Sequence, residues 1–111
     1  MKTIDISRDF SRFPAGRYKA DSDFSGEVFR DKILAPALSN FEHVQVILDN
    51  TEGFGSSFLE EAFGGLVRYC GFTREYLSNH LELIARSPGA SRYPPRIKEY
   101  ISGAIAGQGK R

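Results

Sequence analysis

The chain has 111 residues, 41% of them hydrophobic, and a formal net charge of +1. This length and composition are typical of one globular domain and argue against a disordered chain. The near-neutral charge gives no general reason to expect nucleic-acid binding. The single cysteine, Cys70, excludes an internal disulfide and a paired-cysteine metal site.

The same features predict the compartment and the domain limits. A lone cysteine suits the cytosol, and no apolar run reaches the roughly 18 residues that a membrane span needs. Residues 1–5 lack the apolar core of a signal peptide. We therefore expect a cytoplasmic protein, with one domain over residues 1–106 and a flexible tail over residues 107–111.

The first third of the chain predicts two strands and then a helix. Residues 3–6 alternate as in a short strand, residues 14–16 form a turn signal, and residues 17–19 suit a second strand. Ser25 is a good N-cap for the helix that follows. Pro36 predicts a kink or a restart in that helix, because proline cannot donate the backbone hydrogen bond.

The rest of the chain alternates strands and helices. Residues 44–48 are almost continuously apolar, which indicates a strand buried on both faces. Ser57 and Glu60 have the spacing of a capping box at the start of a second helix. Residues 81–86 suit another strand, and the two prolines at 94–95 suit the first turn of a last helix. The predicted order is β-β-α-β-α-β-α, with a mixed, mostly parallel sheet.

The loop after the central strand is the strongest candidate site, since ligands of such sheets bind at the carboxyl ends of the strands. Asp49, Gly53 and Gly55 belong to this loop, and Ser56 and Ser57 open the next helix. A serine at a helix N-terminus can cap the helix, bind an anion or carry a phosphate. We assign the cap to Ser57, which leaves Ser56 available for a functional role.

The charges near this loop favour a contact surface over a metal site. Four acidic side chains surround the loop: Asp49, Glu52, Glu60 and Glu61. No histidine accompanies them, so we expect no metal, and we expect the acidic groups to repel a phosphate on Ser56. Glu60, Glu61, Gly64 and Arg68 are predicted to form a docking face for a partner, on which Gly64 leaves room for close approach.

Three segments together resemble the STAS domain of bacterial anti-sigma factor antagonists, and more narrowly the STAS-like family of unassigned function. They are Gly-Arg-Tyr at 16–18, Ser-Gly-Glu-Val-Phe-Arg at 25–30 with Leu-Ala-Pro-Ala-Leu at 34–38, and the stretch 53–68. The resemblance covers roughly residues 5–85. The combination of Ser-Gly-Glu with Ser-Ser-Phe-Leu-Glu-Glu-Ala-Phe-Gly-Gly is what makes it specific.

The resemblance implies a regulatory role without catalysis. STAS antagonists bind a histidine-kinase-like ATPase that acts as a serine kinase, and the phosphorylated serine begins the helix after the central strand. By position that serine is Ser56 here, with Ser57 next to it. The antagonist pattern has an aspartate before this serine and a glycine two residues after it, where this chain has Gly55 and Phe58.

We therefore predict a non-enzymatic interaction module of the partner-switching type, with a histidine-kinase-like ATPase or related regulator as its partner. We expect no cofactor, no nucleic acid and no membrane contact. The alternative is a sensor that binds a small molecule or nucleotide at the loop between Asp49 and Ser57. An enzyme ranks third, because no acid–base pair or nucleophile set is visible.

Overall fold

The computed structural model describes residues 1–107 and contains a three-stranded parallel sheet. Its strands are β1 (Lys2–Asp5), β2 (Val44–Ile47) and β3 (Leu81–Ile84), in the spatial order β1-β2-β3. The predicted central position of the 44–48 strand is confirmed. The antiparallel hairpin expected at the N-terminus is absent from residues 1–107, so the sheet is parallel and not mixed.

The core lies against one face of this sheet. Ile4, Val46 and Leu83 stand opposite one another in the register and point to the core side. Thr3 and Gln45 are only half-buried on the other face, where the Thr3 hydroxyl donates to Gln45 Oε1 at 3.1 Å. The prediction that β2 is buried on both faces is therefore wrong, because its buried and half-buried residues alternate.

Five helical units complete the fold, and two of them contain a π-helical stretch. In chain order, the three regular helices are α1 (Ile6–Asp9), α4 (Arg74–His80) and α5 (Tyr93–Gly103). Helix α2 covers residues 26–40 and consists of Gly26–Phe29, the π segment Arg30–Leu34 and Ala35–Asn40. Helix α3 covers residues 56–68 and consists of Ser56–Leu59, the π segment Glu60–Gly64 and Gly65–Arg68. The helix predicted from Pro94 and Pro95 is confirmed as α5.

Two predictions about local structure between the strands fail. Residues 17–19 form no strand. Gly16 has a left-handed φ of 90°, and the carbonyl of Arg17 accepts from Glu27 N–H at 3.0 Å, so this segment is tied to the start of α2. The helix α4 was not predicted, although Thr73 caps it by accepting from Tyr76 N–H at 3.0 Å.

Helices α2 and α3 pack closely against each other over the sheet. Ser25 is the N-cap of α2, as predicted, and its hydroxyl accepts from Val28 N–H at 3.2 Å. An added Cβ at Gly26 would lie 3.1 Å from Ala62 N, so glycine permits the close approach of the two helices. The rings of Phe29 and Phe58 stack with centroids 6.0 Å apart inside the core.

The remaining predictions about chain organisation concern membranes and the tail. Over residues 1–107, no helix is long and apolar enough to cross a bilayer. Of the predicted tail, Gly107 is described and its N–H donates to the Arg68 carbonyl at 3.0 Å. Residues 108–111 lie outside the described residues.

Candidate functional site

Asp49 ties the carboxyl end of β2 to the segment that follows β3. One of its carboxylate oxygens accepts from Ser87 N–H at 2.8 Å and from the Ser87 hydroxyl at 2.7 Å, and both oxygens accept from Arg86 N–H at 3.0 Å. Burial acts to raise the pKa of Asp49, but these donors outweigh it and the pKa lies below its ordinary value. Asp49 is therefore an ionised structural anchor of the loop.

The loop between Asp49 and α3 has a fixed backbone shape. Asn50 has a φ of 69° and Gly53 a φ of 116°, both in the left-handed region. Phe54 is buried, and its N–H donates to the Tyr93 hydroxyl at 3.2 Å while the two rings meet edge to face at 5.0 Å. A Cβ at Gly53 would lie 3.3 Å from that hydroxyl, so glycine is required here by both backbone and space.

Ser56 and Ser57 are the first two residues of α3, and both are exposed. The N-cap residue is Gly55, which has no capping side chain. The predicted capping box of Ser57 with Glu60 is therefore wrong, since Ser57 lies inside the first turn and Glu60 binds arginines instead. Among residues 1–107, neither serine hydroxyl has a hydrogen-bond partner.

A cleft of about 240 Å³ opens beside this loop at the carboxyl ends of β2 and β3. Asn50 and Gly53 line one side of it, and Arg92 and Tyr93 line the other. The Arg92 guanidinium donates to the Tyr93 hydroxyl at 2.9 Å and lies 5.0 Å from the ring centre. Burial raises the pKa of Tyr93, but the donors Arg92 and Phe54 outweigh it, and the pKa is lowered.

The residues predicted to form a docking face belong to a cluster of ion pairs. Glu61 is 1% exposed and accepts from Arg30 at 2.7 Å, and Arg17 lies 3.3 Å from its other oxygen. Glu60 pairs with Arg17 and Arg68. Burial raises the pKa of Glu60, but its bonds to these two arginines outweigh it and lower the pKa. Arg17 and Arg68 thereby favour the charged form of Glu60.

This cluster removes two of the four predicted docking residues from the surface. Glu61 and Gly64 are both buried, and a Cβ at Gly64 would lie 3.0 Å from Glu60 Oε2 and 3.4 Å from the Tyr100 carbonyl of α5. Gly64 is therefore no bare patch for a partner. Glu60 and Arg68 keep partial exposure of their side chains, at 26% and 11%.

The predicted ring of acidic residues around the loop is not assembled. Asp49 faces the residues after β3, Glu52 pairs with Arg12 at 3.6 Å, and Glu60 is held by arginines. Over residues 1–107, no group of three or more histidine, cysteine, aspartate or glutamate side chains could hold a metal ion. The acidic side chains are consequently not placed together where they would repel a phosphate on Ser56, contrary to the prediction from the sequence.

Two residues of the cluster, Arg17 and Arg30, were not singled out from the sequence. Arg30 is 2% exposed, and its position four residues after Gly26 places it on the buried side of α2. A lone arginine on an apolar helix face is a recognisable signal for a buried ion pair. Arg17 carries no comparable local signal, because its partners lie more than 40 residues away in the chain.

A family model described as a STAS-like domain of unknown function matches residues 25–88. The matched region begins at the N-cap of α2 and contains β2, the loop, α3, α4 and β3. No curated protein and no solved structure matches the chain.

Proposed function

The chain belongs to the STAS-like family of unknown function, and we propose that it is a non-enzymatic regulatory module that works by protein–protein contact. In this proposal the contact surface is centred on Ser56 and Ser57, and phosphorylation of Ser56 controls the contact. The partner is a histidine-kinase-like ATPase or a related regulator.

The exposure of the two serine hydroxyls carries this proposal. Every residue of α3 from Phe58 to Val67 except Glu60 is buried, whereas Ser56 and Ser57 are exposed and their hydroxyls lack partners among residues 1–107. A kinase or a partner can therefore reach these hydroxyls without disturbing the fold. Gly55 adds no bulk in front of them, and the space around its Cβ position is open to 4 Å.

The effect of a phosphate follows from the charges nearby. Glu60 lies one turn along α3, but Arg17 and Arg68 already pair with it, so its charge is compensated. A phosphate adds up to about two negative charges, and the N-terminal turn of a helix tolerates negative charge. The phosphate therefore leaves the domain folded and acts on the partner through added charge and bulk.

The test compares a phosphate mimic with a matched control. We expect Ser56→Asp to weaken binding to the cognate ATPase, measured by calorimetry, while Ser39→Asp leaves it unchanged. Ser39 is an exposed serine in the last turn of α2. We also expect phosphate on Ser56 by mass spectrometry after incubation with that ATPase and MgATP. Unchanged affinity for Ser56→Asp together with an unmodified Ser56 would exclude the switch.

The cleft beside the loop supports a second candidate function, a sensor for a nucleotide or another small anion. Arg92 supplies a cation, which the buried Tyr93 hydroxyl orients by accepting from it at 2.9 Å. The cleft lies at the carboxyl ends of parallel strands, where ligands bind in such sheets. Calorimetric titration with ATP and GTP tests this function. Binding lost in Arg92→Ala and kept in Arg96→Ala would support the sensor; no binding of either nucleotide would exclude a nucleotide sensor.

A further inference from the structure

A groove lies on a different part of the molecule, along the outer edge of β3. Its volume is about 680 Å³, and α4 and α5 form its two walls. Ile101 of α5 and Leu81 and Leu83 of β3 line it with half-buried apolar side chains, and Leu77 of α4, only 2% exposed, lies beneath. Neither the Ser56 surface nor the cleft beside the loop shares a residue with this groove.

The backbone of β3 presents free hydrogen-bonding groups to this groove. The Ile84 carbonyl accepts from Leu48 N–H at 2.9 Å, so the N–H and C=O groups of Ile84 face β2. Because successive residues of a strand point their N–H and C=O groups to opposite sides, those of Leu83 face outward. Within residues 1–107 they have no hydrogen-bond partner. An unpaired edge of this kind is a template for a further strand.

The walls of the groove carry two cations without a carboxylate partner among residues 1–107, of which Arg74 donates to the Ala104 carbonyl at 2.8 Å. Arg74 on α4 and Lys98 on α5 are both exposed, and neither forms an ion pair within the described part of the chain. The carboxylate of Glu82, the acidic residue at the groove, is already bound by His43 and Gln45. An occupant with acidic side chains would complement these two cations.

We infer that this groove binds an extended, acidic peptide segment of a partner protein, which adds to β3 as a fourth strand. Main-chain bonds to Leu83 would supply affinity, and alternate side chains would point into the groove. In the segment that fits, apolar side chains contact Leu81 and Ile101. Acidic side chains flank them and pair with Arg74 and Lys98. This interface is a second contact surface, independent of the one at Ser56.

The probe is a capped heptapeptide, Glu-Thr-Val-Thr-Val-Thr-Glu, whose alternate residues are the acidic and apolar ones that enter the groove. We expect saturable binding with a dissociation constant below about 1 mM. Amide exchange measured by NMR should slow at Leu83 when the peptide is added. Exchange at Ile84, whose amide already faces β2, serves as the internal control.

Variants separate the charge from the strand edge. Reversing both cations, in Arg74→Glu with Lys98→Glu, should weaken binding of the peptide about tenfold, whereas Arg96→Glu on the same helix α5 should change it less than about twofold. The matched peptide with lysine in place of glutamate should not bind. Leu83→Pro removes the outward N–H together with the leucine side chain and should abolish binding, whereas Leu83→Ala removes the side chain but keeps the N–H and should still bind.

Three results would overturn the inference. They are no binding of the acidic peptide to the wild-type domain, equal affinity for the acidic and basic peptides, and unchanged affinity after reversal of Arg74 and Lys98. Self-association of the domain in sedimentation experiments that is lost in Leu83→Pro would also overturn it, because the occupant of the edge would then be a second copy of the chain.

Discussion

Gly65→Ala tests whether the buried pair of Arg30 and Glu61 holds α2 and α3 together. Arg30 Nη1 donates to the Glu61 carbonyl at 3.0 Å and to its carboxylate at 2.7 Å. A Cβ at Gly65 would lie 3.1 Å from both Cδ and Cζ of Arg30 and would overlap its Nη1. Since Arg30 is 2% exposed, its guanidinium has no free space into which it can move.

The expected cost follows from what the methyl group displaces. Breaking a buried ion pair costs about 3–5 kcal/mol, and alanine recovers about 1 kcal/mol relative to glycine inside a helix. The net loss in the free energy of unfolding is then about 2–4 kcal/mol. The carboxylate of Glu61 would still lie 3.3 Å from Arg17 and 3.8 Å from Arg68, which are longer contacts than the one to Arg30.

Urea denaturation measures this change in the free energy of unfolding. Two further variants test whether the change comes from the contact with Arg30. Gly103→Ala, at the end of α5 where an added Cβ meets nothing within 4 Å, should be neutral or stabilise by less than about 1 kcal/mol. In an Arg30→Ala background, Gly65→Ala should lose most of its cost, which gives a coupling energy of at least about 1 kcal/mol. Equal stability of Gly65→Ala and the wild type would refute the reasoning.

Three other predictions concern the loop and the start of α3. Ser56→Ala and Ser57→Ala should each change the free energy of unfolding by less than about 0.5 kcal/mol in thermal melts, because neither serine caps the helix. Gly55→Asp should stabilise by about 0.5–1 kcal/mol, since Gly55 has φ −75° and an aspartate there can cap α3; a loss of stability would contradict this. The lowered pKa of Asp49 stabilises the fold above the unfolded-state pKa of about 3.9, and this stabilisation is lost as pH falls through the lower folded-state pKa. Asp49→Asn should therefore weaken the pH dependence of stability below about pH 4, and an unchanged acid profile would show that Asp49 contributes nothing.

Local signals in the sequence were enough for the parts of the fold that depend on neighbouring residues. The alternating pattern of β1, the Ser25 cap and the pair of prolines in the first turn of α5 each act within a few residues, and each prediction is confirmed. Thr73 carried the same kind of signal for α4, with an exposed glutamate in the first turn, and that helix was open to prediction from its cap.

The predictions that fail depend on contacts distant in the chain. Ser57 has the spacing of a capping box, but Glu60 pairs with Arg17 and Arg68, and the N-cap is Gly55, two residues before Ser57. Residues 17–19 read as a strand only in isolation, because Arg17 is drawn to Glu60 and Glu61 on α3. A pattern over neighbouring residues contains no information on these pairs.

At Pro36, where a kink or restart was predicted, the helix instead continues after a π-helical turn. Proline has no N–H to donate to the carbonyl of Lys32. The π segment Arg30–Leu34 precedes it, and the N–H of Ala35 donates to the Arg30 carbonyl, one residue further back than in an α-helix. The helix thus continues through residue 36 with a widened turn. The widened turn begins at Arg30, the residue that reaches across to Glu61.

The two π segments therefore meet at the same ion pair, and this assigns different roles to the two ends of α3. The segment Glu60–Gly64 is buried against α2 and α5 and is fixed by three arginines, so substitutions there change stability. Ser56 and Ser57 are exposed and form no such ion pairs, so substitutions there change only the surface of the domain. A loss of function at Ser56 without a loss of stability is consequently direct information on a partner, whereas the same loss at Glu61 or Gly64 is not. The partner surface should be mapped from the serines outward, with the buried cluster used only as a measure of folding.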